Sequence, residues 1–437
     1  GMPGAFLFLP PEISLIGIVL TCSMKKSLLP CLFLTLISFA LGAQTPARTY
    51  ELKNGNWYNG KDFTPGTWYV SNGLLSKKSP AKVDSVIDLL GRYVTPPMGD
   101  AFSSSVADNP SAANVAKLYA EEGTFYIQVL SNTQEGRTAV QNILNKPGTP
   151  DAIYANGGIT CTLGFPFVNY EAPAQGIRNP ETIAQRIGFI KEQRKMLGNG
   201  YWFVDSKEML DKEWAKIVAQ KPGVISIYLL DVLNSGGKEN KGLTEETAKA
   251  VIKKAHKAKL RVWAHIETPE DLRLALKLGV DGIANLPGYN WNGSGDVKKL
   301  ELSDADLKLL AKKKTPVVTL FSHAQSATPR PAVQAFHSGT LKRLFENNVN
   351  VVLGSNDSQR TGRAELNYWH MLGSLNTAST LKVLVETTPR AIFPKRKIGK
   401  IEDGYEASFI VLSDNPLTNI LKIRASAFKM KNGQWVK

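Results

Sequence analysis

The chain has 437 residues, 43% of them hydrophobic and 21% charged, with 36 Gly and 24 Pro. This is a globular composition; it excludes a collagen-like, low-complexity or broadly disordered chain, and the length suffices for one large domain and a small one. Lys and Arg number 53 against 38 Asp and Glu, a net charge of +15, but the basic residues are scattered, with no zinc-finger or RNP pattern, so no nucleic-acid partner is expected.

Met24 opens a secretory-signal pattern. Lys25 and Lys26 precede an apolar stretch from Leu28 to Leu41, which ends in the small-residue run Ala40-Leu41-Gly42-Ala43. The stretch falls short of the ~20 apolar residues that a span requires, so no stable membrane span is expected after cleavage near Gly42 or Ala43. The expectation is an exported protein, periplasmic or extracellular, with residues 1–43 (an upstream extension and the signal) outside the fold. A lipoprotein signal ending at Cys22 is the weaker reading, because Thr21 precedes that cysteine and no basic residue stands before the apolar run. Of the three cysteines, Cys22 and Cys31 fall in the removed segment. Cys161 then has no partner for an internal disulfide and cannot form a cysteine zinc site.

From about residue 123, with one further run upstream, the sequence alternates short apolar, β-branched runs with segments of helical periodicity. The runs are Tyr93–Asp100, Thr124–Leu130, Ala152–Ala155, Val224–Leu230, Arg261–Ile266, Gly282–Leu286, Pro316–Phe321 and Asn350–Gly354. Helices are predicted over Thr244–Lys259, where Ala248, Val251, Ile252 and Ala255 share a face and Thr244 can cap, and over Pro269–Leu278 and Ser303–Lys313. Eight strands alternating with helices imply an α/β fold of the (β/α)8 TIM-barrel type. A doubly wound sheet would want a Gly-rich phosphate turn after its first strand, and the sequence has none. The flanks, 44–95 and 392–437, are β-rich with Asn-Gly turns at Asn54-Gly55 and Asn432-Gly433. They are expected to form one small β-sandwich from both chain ends, beside a barrel over 96–391.

Four segments carry a family resemblance: Ile87–Pro97, Ala255–His265, Gly279–Gly288, and Thr388–Ala391 followed by Ile398–Leu412. In order along the chain they resemble the amidohydrolase superfamily, in particular its imidazolonepropionase-like and prolidase-like secreted branch. That resemblance implies hydrolysis of carbon–nitrogen bonds by one or two divalent metals at the C-terminal mouth of the barrel. The implied ligands are a His-x-His pair after strand one, a carboxylated Lys on strand four, one His each on strands five and six, and an Asp on strand eight. Such a cation brings the pKa of its bound water toward ~7.

At those positions this sequence departs from the family. Phe102 and Ser104 stand for the His pair, Ser226 for the Lys, Asn285 for the strand-six His and Asn356 for the strand-eight Asp, with Asp357 one residue later; His265 alone is retained. Phe165 stands where relatives of this branch carry His. Three or more N, O or S ligands are needed for zinc, and Phe102 offers none. No metal is therefore expected, unless His265, His323 and Asp357 converge into a weak site. Of the five histidines, His256, His337 and His370 fall in helical stretches and read as surface or packing residues. A metal-free serine hydrolase built from Ser104, His265 and Asp357 is a further reading, although no nucleophile elbow is present. A mouth emptied of metal ligands and lined by Phe102, Phe165, Phe167, Tyr228 and Phe321 would suit an apolar or aromatic small molecule.

Two functions follow. The first is an exported amidohydrolase-type protein with a dismantled metal centre, non-catalytic or altered, in a binding or scaffold role with no cofactor. The alternative is an active hydrolase of carbon–nitrogen bonds with a rearranged site that uses Zn or another divalent metal.

Overall fold

Side-chain alternation sorts the barrel strands into two nested cores. In Val224–Tyr228, Val224 joins an interior cluster with Phe102, Trp263, Ala284, Val318 and Val352. Ile225 and Ile227 join the outer core, against helix residues such as Leu210, Ala248 and Leu307. The same inward and outward alternation separates Trp263 from Ala264, Ala284 from Ile283, Val318 from Val317 and Val352 from Val351. The computed structural model describes residues 48–107, 111–230 and 242–436; the predicted signal segment lies outside them.

Eight parallel strands build the barrel: Met98–Asp100, Thr124–Val129, Asp151–Tyr154 continued by Gly158–Thr160, Ile225–Tyr228, Val262–His265, Gly282–Ile283, Val317–Val318 and Val351–Val352. Neighbours pair in that order. The ring closes where the Ala101 N–H donates to the Leu353 carbonyl at 2.8 Å. The fold is a (β/α)8 barrel, and helices cover it where the sequence predicts them. Thr244 caps Glu245–Lys257, and Thr268 and Ser303 form capping boxes with Asp271 and Asp306 at the starts of Pro269–Leu278 and Asp304–Lys313.

One predicted strand divides. Tyr93–Asp100 splits at Pro96-Pro97, because neither proline has an N–H for the ladder. Tyr93–Thr95 pairs antiparallel with Phe409–Leu412 in the terminal sheet, and Met98–Asp100 opens the barrel.

Both chain ends share that terminal sheet. Its strands run Gln434–Val436, Ser426–Lys431, Phe409–Leu412, Tyr93–Thr95, Tyr50–Tyr58, Phe63–Ser71 and Leu74–Ser76, with Ser85–Asp88 branching from Tyr50–Tyr58. At ~4.8 Å per strand, a flat sheet would hold Trp435 about 19 Å from Tyr50. Their ring centroids are 5.6 Å apart, and Leu75 at the far edge donates its N–H to the Tyr405 carbonyl at 2.8 Å. The expected sandwich is thus one continuous sheet rolled over its own core of Leu52, Trp57, Val70, Val94, Phe409 and Val411.

A half-buried ionic cluster fastens this sheet to the barrel. Asp151, which opens the third barrel strand, accepts from Lys431 Nζ at 2.6 Å and from Arg396 at 2.8 Å, and Arg396 makes a two-pronged pair with Glu406.

Candidate functional site: the barrel mouth

The barrel strands deliver their C-terminal residues to one mouth, where a (β/α)8 fold places its chemistry. The strand-one turn brings Phe102 and Ser104, strand four Ser226 and Tyr228, strand five His265, strand six Asn285 and strand eight Ser355 and Asn356. Each of the six residues that the sequence resemblance matches to metal-ligand positions (Phe102, Ser104, Ser226, His265, Asn285 and Asn356) is engaged by protein. Ser104 Oγ donates to Asn356 Oδ1 at 2.6 Å. Ser226 Oγ and His265 Nε2 are hydrogen-bonded at 2.8 Å. The Asn285 amide spans the Ile266 backbone, donating to its carbonyl and accepting its N–H. Phe102 is buried, its ring edge-on to His265 with centroids 5.3 Å apart.

His265 is held as a neutral imidazole. Burial lowers its pKa to about 3, outweighing a hydrogen bond to the Leu130 backbone that favours the charged form. Tyr228 stacks on it at 4.3 Å and 16°, and Gly158 on strand three makes room for that ring, since a Cβ there would overlap Tyr228. Tyr228 in turn hydrogen-bonds Ser131 at 3.0 Å and packs edge-on against Phe165 at 5.4 Å.

Asp100 was missed in the sequence, where it reads only as the end of a strand. It is fully buried beneath Phe102 and joins the first strand to the eighth. Its carboxylate accepts from the Phe102 N–H, the Ser355 N–H and hydroxyl, and Tyr119 Oη, the last two at 2.7 Å. Burial raises its pKa, against those hydrogen bonds. With the Ser104–Asn356 bond it forms a seam of protein contacts at the mouth.

Asp357 does not join this group. Its carboxylate accepts the N–H groups of Gln359 and Arg360 and pairs with the Arg360 guanidinium at 2.7 Å. Burial acts to raise its pKa, but these donors hold it below the ordinary carboxylate value. His323 Nε2 bonds the Ser355 carbonyl at 3.0 Å, and its ring lies edge-on to Tyr289. The suggested Ser104–His265–Asp357 triad is therefore not assembled: the serine bonded to His265 is Ser226, and Asp357 serves its own turn. His265, His323 and Asp357 likewise do not converge. Among the described residues no group of three or more His, Cys, Asp and Glu side chains is placed to hold a metal ion. The donor set, two hydroxyls, two amides, one imidazole and a phenyl ring, does not fit a catalytic cation.

Of the other histidines, His337 is buried, stacked on Phe321 and bonded to Tyr368 Oη and the Gly288 carbonyl, and His256 pairs with Asp281 on the surface. Phe321 is consumed by that stack, and Phe167 by a cluster with Tyr201 and Phe203; neither lines the mouth.

What remains at the mouth is a cavity of about 430 Å³, walled by Phe102, Phe165, Tyr170, Leu230, Tyr289 and Leu320, with Glu267 and the amides of Asn169, Asn285, Asn290 and Asn356 at its polar positions. Sequence reading missed Glu267 and Tyr289. Glu267 stands two residues beyond His265, past the C-terminal end of a barrel strand, and that placement could have flagged it.

A barrel of this topology joined to a rolled sheet from both chain ends is the amidohydrolase fold. Solved structures bear this out. A crystal structure of an amidohydrolase superposes with TM-score 0.66 at 16% identity, over 89% of this chain and 98% of that one. The A. niger ochratoxinase gives 0.68 at 15% identity, over 89% and 96%, and a Xaa-Pro dipeptidase with bound methionine 0.66 at 17%, over 89% and 100%. No family model and no curated protein sequence matches the chain.

Proposed function

We propose that this chain is an exported amidohydrolase-superfamily protein that binds a small molecule at its barrel mouth without hydrolysing it. One observation carries the reading: the six positions that would hold the metals are tied to one another or to backbone, through Ser104–Asn356, Ser226–His265 and Asn285–Ile266, with Phe102 packed between. Water alone is a poor nucleophile, and the fold's hydrolytic chemistry rests on a cation to activate it. The cavity beside these residues is of the size that small-molecule sites use. Export follows from the signal pattern after Met24; among the described residues no helix is long and apolar enough to cross a membrane.

Elemental analysis of protein purified without chelator tests the reading, together with assays on dipeptide, lactam and aryl-amide substrates. The expected result is far less than one Zn, Mn or Fe per chain and no turnover. One ion per chain with hydrolysis of an amide would establish the alternative, an active carbon–nitrogen hydrolase with a rearranged site.

A further inference from the structure

A second cavity, of about 410 Å³, lies between the helix Gln134–Val140, the third barrel strand Asp151–Tyr154 and the turn that follows the helix Lys207–Ala219. Among the described residues it shares no lining residue with the mouth. Its described wall holds two cations, Arg137 and Lys221, and no carboxylate. Glu135 and Asp151, which stand beside lining residues in sequence, do not line it, and Asp151 is already held by Lys431 and Arg396.

Arg137 is only partly engaged. Its Nη1 donates to the Gln220 and Lys221 carbonyls, both at 2.9 Å, where the chain turns through left-handed backbone at Lys221, φ 51°. Those two bonds staple one helix to the end of the next and give one nitrogen a structural role. A guanidinium carries five N–H donors, and the three on Nε and Nη2 have no acceptor among the described residues. Nε and Nη2 form the edge that grips a carboxylate with two parallel bonds. Burial lowers the pKa of Arg137, so the guanidinium has lost water without gaining a counter-ion among the described residues.

Gln134 supplies a second unmet group. It stands three residues before Arg137 on the same helix, so the two side chains share a face, and its Oε1 is buried with no hydrogen-bond partner. An acceptor left unpaired costs free energy that a donor on a ligand would recover. The cavity therefore suits an anion that carries a donor a short distance away. An ammonium donor would meet two cations and no carboxylate, which leaves a hydroxyl. Val140, Leu144 and Ile153 add an apolar portion to the wall.

We infer that this flank of the barrel binds a 2-hydroxy carboxylic acid with an apolar side chain, its carboxylate on the Nε–Nη2 edge of Arg137, its hydroxyl donating to Gln134 Oε1 and its side chain against Val140, Leu144 and Ile153. The site is separate from the mouth and stands whatever the mouth binds.

Four probes share one ring and stem: 3-phenyllactate, 3-phenylpropanoate without the hydroxyl, 2-hydroxy-3-phenylpropanamide without the charge, and phenylalanine with an ammonium in place of the hydroxyl. Calorimetric titration of each into the full chain is expected to show phenyllactate bound about fivefold more tightly than phenylpropanoate, and at least about tenfold more tightly than the amide and phenylalanine. Gln134→Leu removes an acceptor that makes no bond in the free protein; it should abolish the preference for phenyllactate over phenylpropanoate and leave phenylpropanoate binding unchanged. Arg137→Gln should abolish the preference for the acid over the amide, and Gln134→Leu keeps the proposal testable if Arg137→Gln fails to fold. Phe165→Ala, in the wall of the mouth, should leave phenyllactate binding unchanged. Failure of phenyllactate to bind, equal or tighter binding of the amide or of phenylalanine, an unaltered preference in folded Gln134→Leu, or loss of phenyllactate binding in folded Phe165→Ala overturns the inference.

Discussion

Ser226 Oγ and His265 Nε2, on adjacent parallel strands, form a 2.8 Å hydrogen bond in the barrel interior. His265, the one histidine that the sequence resemblance matches to a ligand position, therefore spends its Nε2 on a neighbouring hydroxyl. Both residues are buried, Ser226 at 1% and His265 at 5% exposure, so no solvent replaces a lost partner.

Ser226→Ala is accordingly expected to destabilise the protein by about 1–3 kcal/mol, the cost of a buried polar group left unpaired. Denaturant unfolding reads that cost directly. The variant should still gain no melting temperature from added zinc, because the other positions supply no ligands. A neutral substitution, or a zinc-dependent rise, would show that the bond does not occupy the imidazole as described.

Stability should fall in acid through the same residue. His265 has its pKa lowered to about 3 and His337 to about 4, both mainly by burial. Between those values and the unfolded value of about 6.5, the unfolded chain holds a proton that the native chain does not. The stabilisation is complete above about pH 6.5 and is lost as pH falls toward the native values. His265 contributes on the order of 4 kcal/mol over that window. Asp100 runs the other way: its raised pKa makes the native state bind the proton longer, so its contribution declines as pH rises above about 3.9. Urea midpoints from pH 4 to 8 should show a steep rise that His265→Gln flattens. A pH dependence that His265→Gln leaves unchanged would contradict the burial of that imidazole.

Much of the architecture was legible because it is written in short-range pattern. The apolar run Val224–Leu230 and the helical periodicity of Pro269–Leu278 and Ser303–Lys313 are local signals, and they placed that strand and those two helices to within two residues. The division at Pro96-Pro97 was overlooked although its cause is local, because an apolar run was read through two prolines. The mouth was legible in position but not in partnership. Ser104–Asn356 spans 252 residues and Asp100–Ser355 spans 255, and neither pairing leaves a trace in spacing. Asp357 misled for the opposite reason: a carboxylate beside the expected position proved to serve a turn with Gln359 and Arg360.

Restoring family residues singly should not restore chemistry. Phe102→His removes a buried ring and sets a second imidazole edge-on to His265, for an expected loss of about 2–4 kcal/mol. Asn356→Asp keeps an acceptor for Ser104 and adds a charge near the buried Asp100 carboxylate, for a loss of about 1–2 kcal/mol. Neither variant should hydrolyse amides with or without zinc, and chelator should leave the parent's melting temperature unchanged. Zinc-dependent stabilisation of Asn356→Asp accompanied by turnover would reveal a latent site.

The joint between the terminal sheet and the barrel gives the last prediction. Lys431 is 1% exposed, and its Nζ donates to the Lys146 carbonyl at 2.9 Å, the Thr149 carbonyl at 2.6 Å and Asp151 at 2.6 Å. Burial lowers its pKa, but Asp151 opposes that shift, and three acceptors satisfy the three N–H groups of an ammonium. Lys431→Met fits the apolar stem and removes the charge, leaving two carbonyls unpaired and Asp151 facing Arg396 alone. Breaking a buried pair by removing one partner costs about 3–5 kcal/mol. Lys342 and Glu346, an exposed i,i+4 pair with side chains 67% and 58% exposed, serve as the control; Lys342→Met should change stability by no more than about 0.5 kcal/mol. Because Asp151 belongs to the barrel and Lys431 to the sheet, the damage should be local as well as global. Amide exchange in Phe409–Leu412 and Ser426–Lys431 should accelerate more than in Val262–His265. Equal losses for the two lysine variants, or exchange that quickens uniformly, would mean that the cluster does not fasten the two parts together.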